Sequence, residues 1–154
     1  MKFHGKYRSE DIERDMKFCK AARLILSEKL NSLRKLIDKY LEDDTVRNLH
    51  KMRIAIRRFR YGMEVFAPCY KPKIFNYVYN KVKHLQDLVG EGRDLDVLKE
   101  KITSVAEENE ISIPERFYNQ IEEEKSKVTE IIKEELIKFM NDKYVNKFLT
   151  KKKR

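Results

Sequence analysis

A chain of 154 residues with 40% charged and 41% hydrophobic side chains is long enough for one cored domain without metal or disulfide support. Only four Gly and three Pro interrupt it, no apolar run approaches the ~18 residues of a membrane span, and Met1 to Glu10 lack the apolar stretch of a signal peptide. The net charge of +9 is concentrated: Lys151 to Arg154 carry four positive charges, and Thr45 to Arg60 carry six with no acid, so the rest of the chain is close to neutral.

These features predict a single cytoplasmic helical domain over residues 1–154, with flexible ends at 1–8 and 150–154. Cys19 and Cys69 lack metal-type spacing, and the expectation is two free thiols in a reducing cytoplasm.

Ser9, followed by Glu10, Asp11 and Glu13, begins a first helix. Ile12, Met16, Cys19, Leu26, Leu30, Leu33, Ile37 and Leu41 keep steps of three, four or seven, which predicts one amphipathic helix over Ser9 to Leu41. Asp43 to Thr45 form a polar break, with Asp44 or Thr45 as the next cap. A second helix, from about Thr45, carries Leu49, Met52, Ile56, Phe59, Met63 and Phe66 on one face and ends at Pro68. Lys71-Pro72 opens a third helix, whose apolar face is Ile74, Val78, Val82, Leu85 and Leu88. Gly90 and Gly92 are expected to break or kink it, with Asp94 capping a fourth helix through Leu95, Leu98, Ile102 and Val105. Asn109 to Ile113 is a loop. Pro114 starts a last helix with Phe117, Ile121, Val128, Ile132, Leu136 and Phe139. No strand pattern is present, so the fold class is all-α, a bundle of four to five long amphipathic helices with short connections.

The second helix carries the chemistry. At ~100° per residue its apolar residues fill a sector of about 100°, and His50, Arg53, Arg57 and Arg60 fill a bordering sector of about 80°. They line roughly 15 Å of one flank at 1.5 Å rise per residue. Arg47, Lys51 and Arg58 point elsewhere. Guanidinium groups donate paired hydrogen bonds to phosphate oxygens and stay charged at any cellular pH, so the stripe suits a phosphate polyanion. The ordinary alternative is that these arginines pair with acids on neighbouring helices. The helix offers none at i±4 between Thr45 and Arg60, and Glu64 is placed to orient Arg60. Lys83 on the third helix is positioned to face the stripe if the second and third helices pack together, and Arg93, beside the expected cap Asp94, can pair with an acid or reach an anion.

Catalytic templates are missing: no Gly-rich phosphate loop, no HExxH, no paired-cysteine zinc site and no Gly-x-Ser-x-Gly. No catalytic residue, metal site or cofactor is expected.

Val46-Arg47-Asn48-Leu49-His50-Lys51-Met52-Arg53-Ile54-Ala55-Ile56-Arg57-Arg58-Phe59-Arg60 resembles the signature helix of the CHAD family, the conserved histidine α-helical domain, which reads loosely V-H-x-x-R-V-x-x-R-R-x-R. Leu49 stands where valine precedes the histidine. Lys83-x-Leu85-Gln86-Asp87-x-x-Gly90-x-x-Arg93-Asp94-x-Asp96-Val97 resembles the family's second signature, with Val89 in place of its usual leucine. The resemblance covers roughly residues 10 to 108.

It implies a helical fold and binding of inorganic polyphosphate or a similar polyanion through a basic groove, without catalysis by the domain itself. Carried onto this sequence, the site residues are His50, Arg53, Arg57, Arg58, Arg60, Lys83 and Arg93. Full-length members pair two similar halves, each with a basic helix. This chain resembles one half of a CHAD fold, since no second His-x-x-Arg cluster follows Pro114. A two-fold homodimer is therefore expected, held by apolar residues of the first and last helices such as Phe139, Met140, Tyr144 and Phe148. A nucleic-acid binder using exposed tyrosines is the alternative partner class. A phosphohydrolase-associated or phosphohistidine-using domain is the second alternative, and it lacks the acidic metal ligands of phosphoryl chemistry.

Overall fold

The computed structural model describes residues 17–150, and among them five α-helices and no strand: α1 Phe18–Glu42, α2 Val46–Phe66, α3 Pro72–Glu108, α4 Glu115–Asn141 and α5 Lys143–Thr150. The Ser9–Met16 part of the predicted first helix, residues 1–8 and the tail 151–154 lie outside the described residues. A 3-10 turn, Ala67–Cys69, joins α2 to α3.

Consecutive long helices run antiparallel, as their short connections require. Three residues turn α1 into α2. Thr45 caps α2, its Oγ1 accepting from the Asn48 amide at 3.2 Å, and the buried Asn48 side chain donates to the Asp43 carbonyl at 2.8 Å. The predicted apolar face of α2 is the buried one: Leu49, Met52, Ile56, Phe59, Met63 and Phe66. It packs on Leu26, Leu30, Leu33 and Ile37 of α1 and on Val78, Val82, Leu85 and Val89 of α3, with Ile132 and Leu136 of α4 closing the same core.

The predicted break at Gly90 and Gly92 does not occur. α3 is a single helix of 37 residues, and Asp94 lies inside it, exposed, rather than capping a fourth helix. Neither glycine has a positive φ. Gly92 is where α3 is crossed closely: a Cβ there would stand 3.0 Å from Ile132 Cδ1 of α4 and 3.3 Å from Leu49 Cδ2 of α2. A mid-helix glycine costs only about 1 kcal/mol, and packing on two helices outweighs it. α3 therefore continues about 24 Å beyond Gly92, at 1.5 Å per residue, paired with the first half of α4.

Two further expectations are corrected. Cys19 and Cys69 are not free thiols: they form a disulfide that ties the start of α1 to the α2–α3 turn. Their 50-residue separation hid a pairing that antiparallel packing of α1 on α2 creates. Such bonds persist in oxidising compartments or inside hyperthermophiles, so the reduced-thiol premise of the cytoplasmic expectation is lost. The last predicted helix divides at Asp142, whose Oδ1 accepts from the Tyr144 and Val145 amides at 2.8 and 3.1 Å and starts α5. α5 folds back onto the bundle. Phe139 and Phe148, expected at a free surface, are buried, with Phe148 stacked on Tyr70 at 4.5 Å; Met140 is half-buried, and Tyr144 is exposed.

No helix among the described residues is long and apolar enough to cross a membrane.

Candidate functional site

Burying one face of α2 fixes where its cations go. Residues bordering the apolar sector on the α3 side must lie along the α2–α3 seam, and His50, Arg53, Arg57 and Arg60 are those residues. Arg60 proves the direction. Its Nε donates to the Tyr79 hydroxyl of α3 at 3.1 Å, its Nη1 donates to Gln86 Oε1 at 3.2 Å, and its guanidinium lies 5.5 Å from the Tyr79 ring centroid.

The opposite bank follows from helical spacing. Tyr79, Lys83, Gln86, Gly90 and Arg93 fall within about 80° on α3, so Lys83 and Arg93 share the flank that Tyr79 and Gln86 show to face α2. The space over Gly90 is open, since a Cβ there would meet nothing within 4 Å. By helical spacing, the groove between α2 and α3 has His50, Arg53, Arg57 and Arg60 on its α2 side and Lys83 and Arg93 on its α3 side, with Arg60 contacting Tyr79 and Gln86 across it.

These cations differ in how they are held. Arg60 is anchored, with Glu64 Oε1 at 3.5 Å and the Tyr79 hydroxyl donating to that same carboxylate oxygen at 2.5 Å. Its pKa is raised, chiefly by the bond to Tyr79. Arg57 is exposed and leans on Tyr61, with Nε donating to the hydroxyl at 3.3 Å and the guanidinium 5.5 Å from the ring centroid. Arg93 makes a long ion pair with Glu100 at 3.7 Å. Arg53, half-buried, and Lys83, exposed, have no ion-pair partner among the described residues. His50 is half-buried, and its Nδ1 is buried without a hydrogen-bond partner among the described residues. Acid pairing thus accounts for Arg60 and Arg93, and for neither Arg53 nor Lys83.

Arg58 is not brought into the groove. It is exposed on the other side of α2, near enough to Lys29 of α1 to help lower the lysine's pKa after burial, the larger cause. The neighbouring His84 faces α4, with Nε2 3.8 Å from Glu135.

Sequence reasoning missed Tyr79 and Gln86, the groups that fix Arg60. It also missed the role of Asp96 in the second motif. Asp96 is buried, takes the Lys125 ammonium of α4 at 2.7 Å, and Lys125 also donates to the Gly92 carbonyl at 3.2 Å. That ion pair locks α3 to α4 below the groove.

The two motifs that meet along this seam are those of one family. The CHAD domain model matches residues 8–103, more than half of the chain, and the chain belongs to the CHAD domain family. No curated protein and no solved structure matches it.

Proposed function

We propose that this CHAD domain binds a phosphate polyanion, inorganic polyphosphate first among them, in the α2–α3 groove, and that it does so without catalysis. The observation that carries the reading is that Arg53 of α2 and Lys83 of α3, on flanks that face the same seam, are both without an acid partner among the described residues. Like charges aligned on one helix repel, and a bound anion reverses that cost. Arg60, already fixed by Glu64, Tyr79 and Gln86, is ordered before ligand arrives, which lowers the entropy lost on binding.

The test is titration of polyphosphate into the wild type and an Arg53→Glu/Arg57→Glu variant at moderate salt. Each lost charged hydrogen bond costs about 1.5–3 kcal/mol, and reversal adds repulsion, so affinity is expected to fall at least about a hundredfold. Equal affinities would overturn the site. Incubation with polyphosphate and a divalent metal should release no phosphate, and release that disappears in His50→Ala would favour an enzyme instead.

One observation favours nucleic acid as a second reading: Tyr61 is exposed beside Arg57 and offers a ring on which a base can stack. Competition between polyphosphate and single-stranded nucleic acid separates the two, and loss of nucleic-acid binding in Tyr61→Ala with polyphosphate binding intact would support the second.

A further inference from the structure

The cations of α2 that point away from the groove form a group of their own. Arg47 and Lys51 stand one turn apart on the flank toward α1, and Lys39 lies in the last turn of α1. The three-residue turn 43–45 brings the last turn of α1 beside the first turns of α2, and the charges of Arg47 first, and Lys39 second, hold the Lys51 ammonium below the usual lysine range, so Lys51 sits within electrostatic reach of both. None of the three has an ion-pair partner among the described residues: of the three acids at the same turn, Asp44 is taken by Lys133 at 2.7 Å, and Glu42 and Asp43, both exposed, make no ion pair with the three cations. Three neighbouring cations without an ion pair favour a bound anion.

This group is continuous with the groove. Around α2 the order is Arg60, Arg53, Arg57, His50, Arg47, Arg58, Lys51, which spans about 180° of the helix surface. No carboxylate interrupts that arc before Glu64.

We propose that Lys39, Arg47 and Lys51 form a second phosphate-binding track, and that an extended polyanion leaving the α2–α3 groove crosses the exposed face of α2 to reach it. The inference rests on the polyanion reading above and adds a dependence on chain length. The groove stripe is roughly 15 Å long and a helix with its side chains is about 10–12 Å across. A short anion fills the groove alone. A long one makes its second set of contacts intramolecularly, at high effective concentration.

The experiment compares inorganic tripolyphosphate with a long-chain polyphosphate on three proteins: wild type, Lys39→Ala/Arg47→Ala/Lys51→Ala, and a control, Lys101→Ala/Lys143→Ala/Lys147→Ala, that loses the same charge on α3 and α5. The track variant should bind the long chain about tenfold or more weakly, with the slope of log affinity against log salt smaller by about two. Its tripolyphosphate affinity, and both affinities of the control, should stay within about twofold of wild type. Unchanged long-chain binding by the track variant overturns the track and leaves the groove standing. Equal losses in track variant and control, or equal losses for short and long anions, also overturn it, since the effect is then net charge or the groove itself. A wild type that binds neither anion overturns the polyanion reading and the track together.

Discussion

Arg53 and Arg60 stand two turns apart on the same flank of α2 in opposite circumstances. Arg60 is held by a carboxylate, a hydroxyl and an amide oxygen, and Arg53 by no acid among the described residues. The wheel placed both on one flank, and the structure keeps them there, because burial of Leu49, Met52 and Ile56 leaves that flank no other direction. What the sequence could not disclose is the α3 partners of Arg60. Tyr79 and Gln86 lie 19 and 26 residues away, and their register against α2 is set by core packing. Buried tyrosines give a testable consequence at this scale. Tyr40 is fully buried, and burial pushes its pKa to about 12 from an ordinary 10.0. Tyr70 is shifted up to about 12 by burial too. A folded pKa above the unfolded one means that this stability is whole below pH 10 and is lost as pH rises toward 12. For Tyr40 the loss approaches, at most, about 3 kcal/mol when both titrations are complete. Denaturant unfolding across that alkaline window should show a shallower fall for Tyr40→Phe than for wild type, and parallel falls would refute it.

Elements were read from periodicity, and periodicity works where each turn of helix buries a side chain. α2 was legible almost to the residue for that reason. α3 was cut in two because glycine is read as a breaker, whereas Gly92 is a contact point and Gly90 an opening. The two glycines therefore predict opposite responses. Gly90→Ala meets nothing and should gain the helix propensity of alanine, about 0.5–1 kcal/mol. Gly92→Ala presses on Ile132 and Leu49, both buried, and should be neutral or destabilising. Thermal melts of the two variants decide it, and a Gly92→Ala melting above Gly90→Ala would contradict the packing account. The disulfide was hidden for another reason: a 50-residue separation carries no local signal. Closing a loop of that size removes unfolded-state entropy worth roughly 4 kcal/mol in the chain model, with 2–4 typical in practice. Melting should fall accordingly in Cys19→Ser/Cys69→Ser or on reduction, and an unchanged melt in reductant would show that the bond adds nothing to stability.

At the scale of the whole molecule, the proposed groove is short. A stripe of roughly 15 Å meets few phosphates, each contact is screened by salt, and full-length CHAD proteins, as the resemblance implies, set two such helices around one groove. We expect two copies of this chain to associate about a two-fold axis, which presents the same element twice. The surface first expected to hold them does not exist in that form, because Phe139 and Phe148 belong to the core. The extension of α3 beyond Gly92 supplies a better one. There α3 runs on beside α4 past the start of α2, whose Val46 still lines a cavity with Asp96, Lys99 and Glu100, and Leu98, Val105 and Phe117 are each close to half exposed. Leu98 and Val105 are seven apart, with Leu95 and Ile102 completing a stripe at coiled-coil spacing. Two copies of that stripe can pack on each other with the basic helices kept at a distance, so repulsion between them stays screened. Light scattering at micromolar concentration should give twice the chain mass for the wild type, and the chain mass for Leu98→Glu/Val105→Glu, which places charge in the seam. The measurement is to be made without polyphosphate first, because a long anion can bridge chains that share no interface. A wild type of single mass in both conditions removes the dimer and leaves the groove of one chain as the whole binding site.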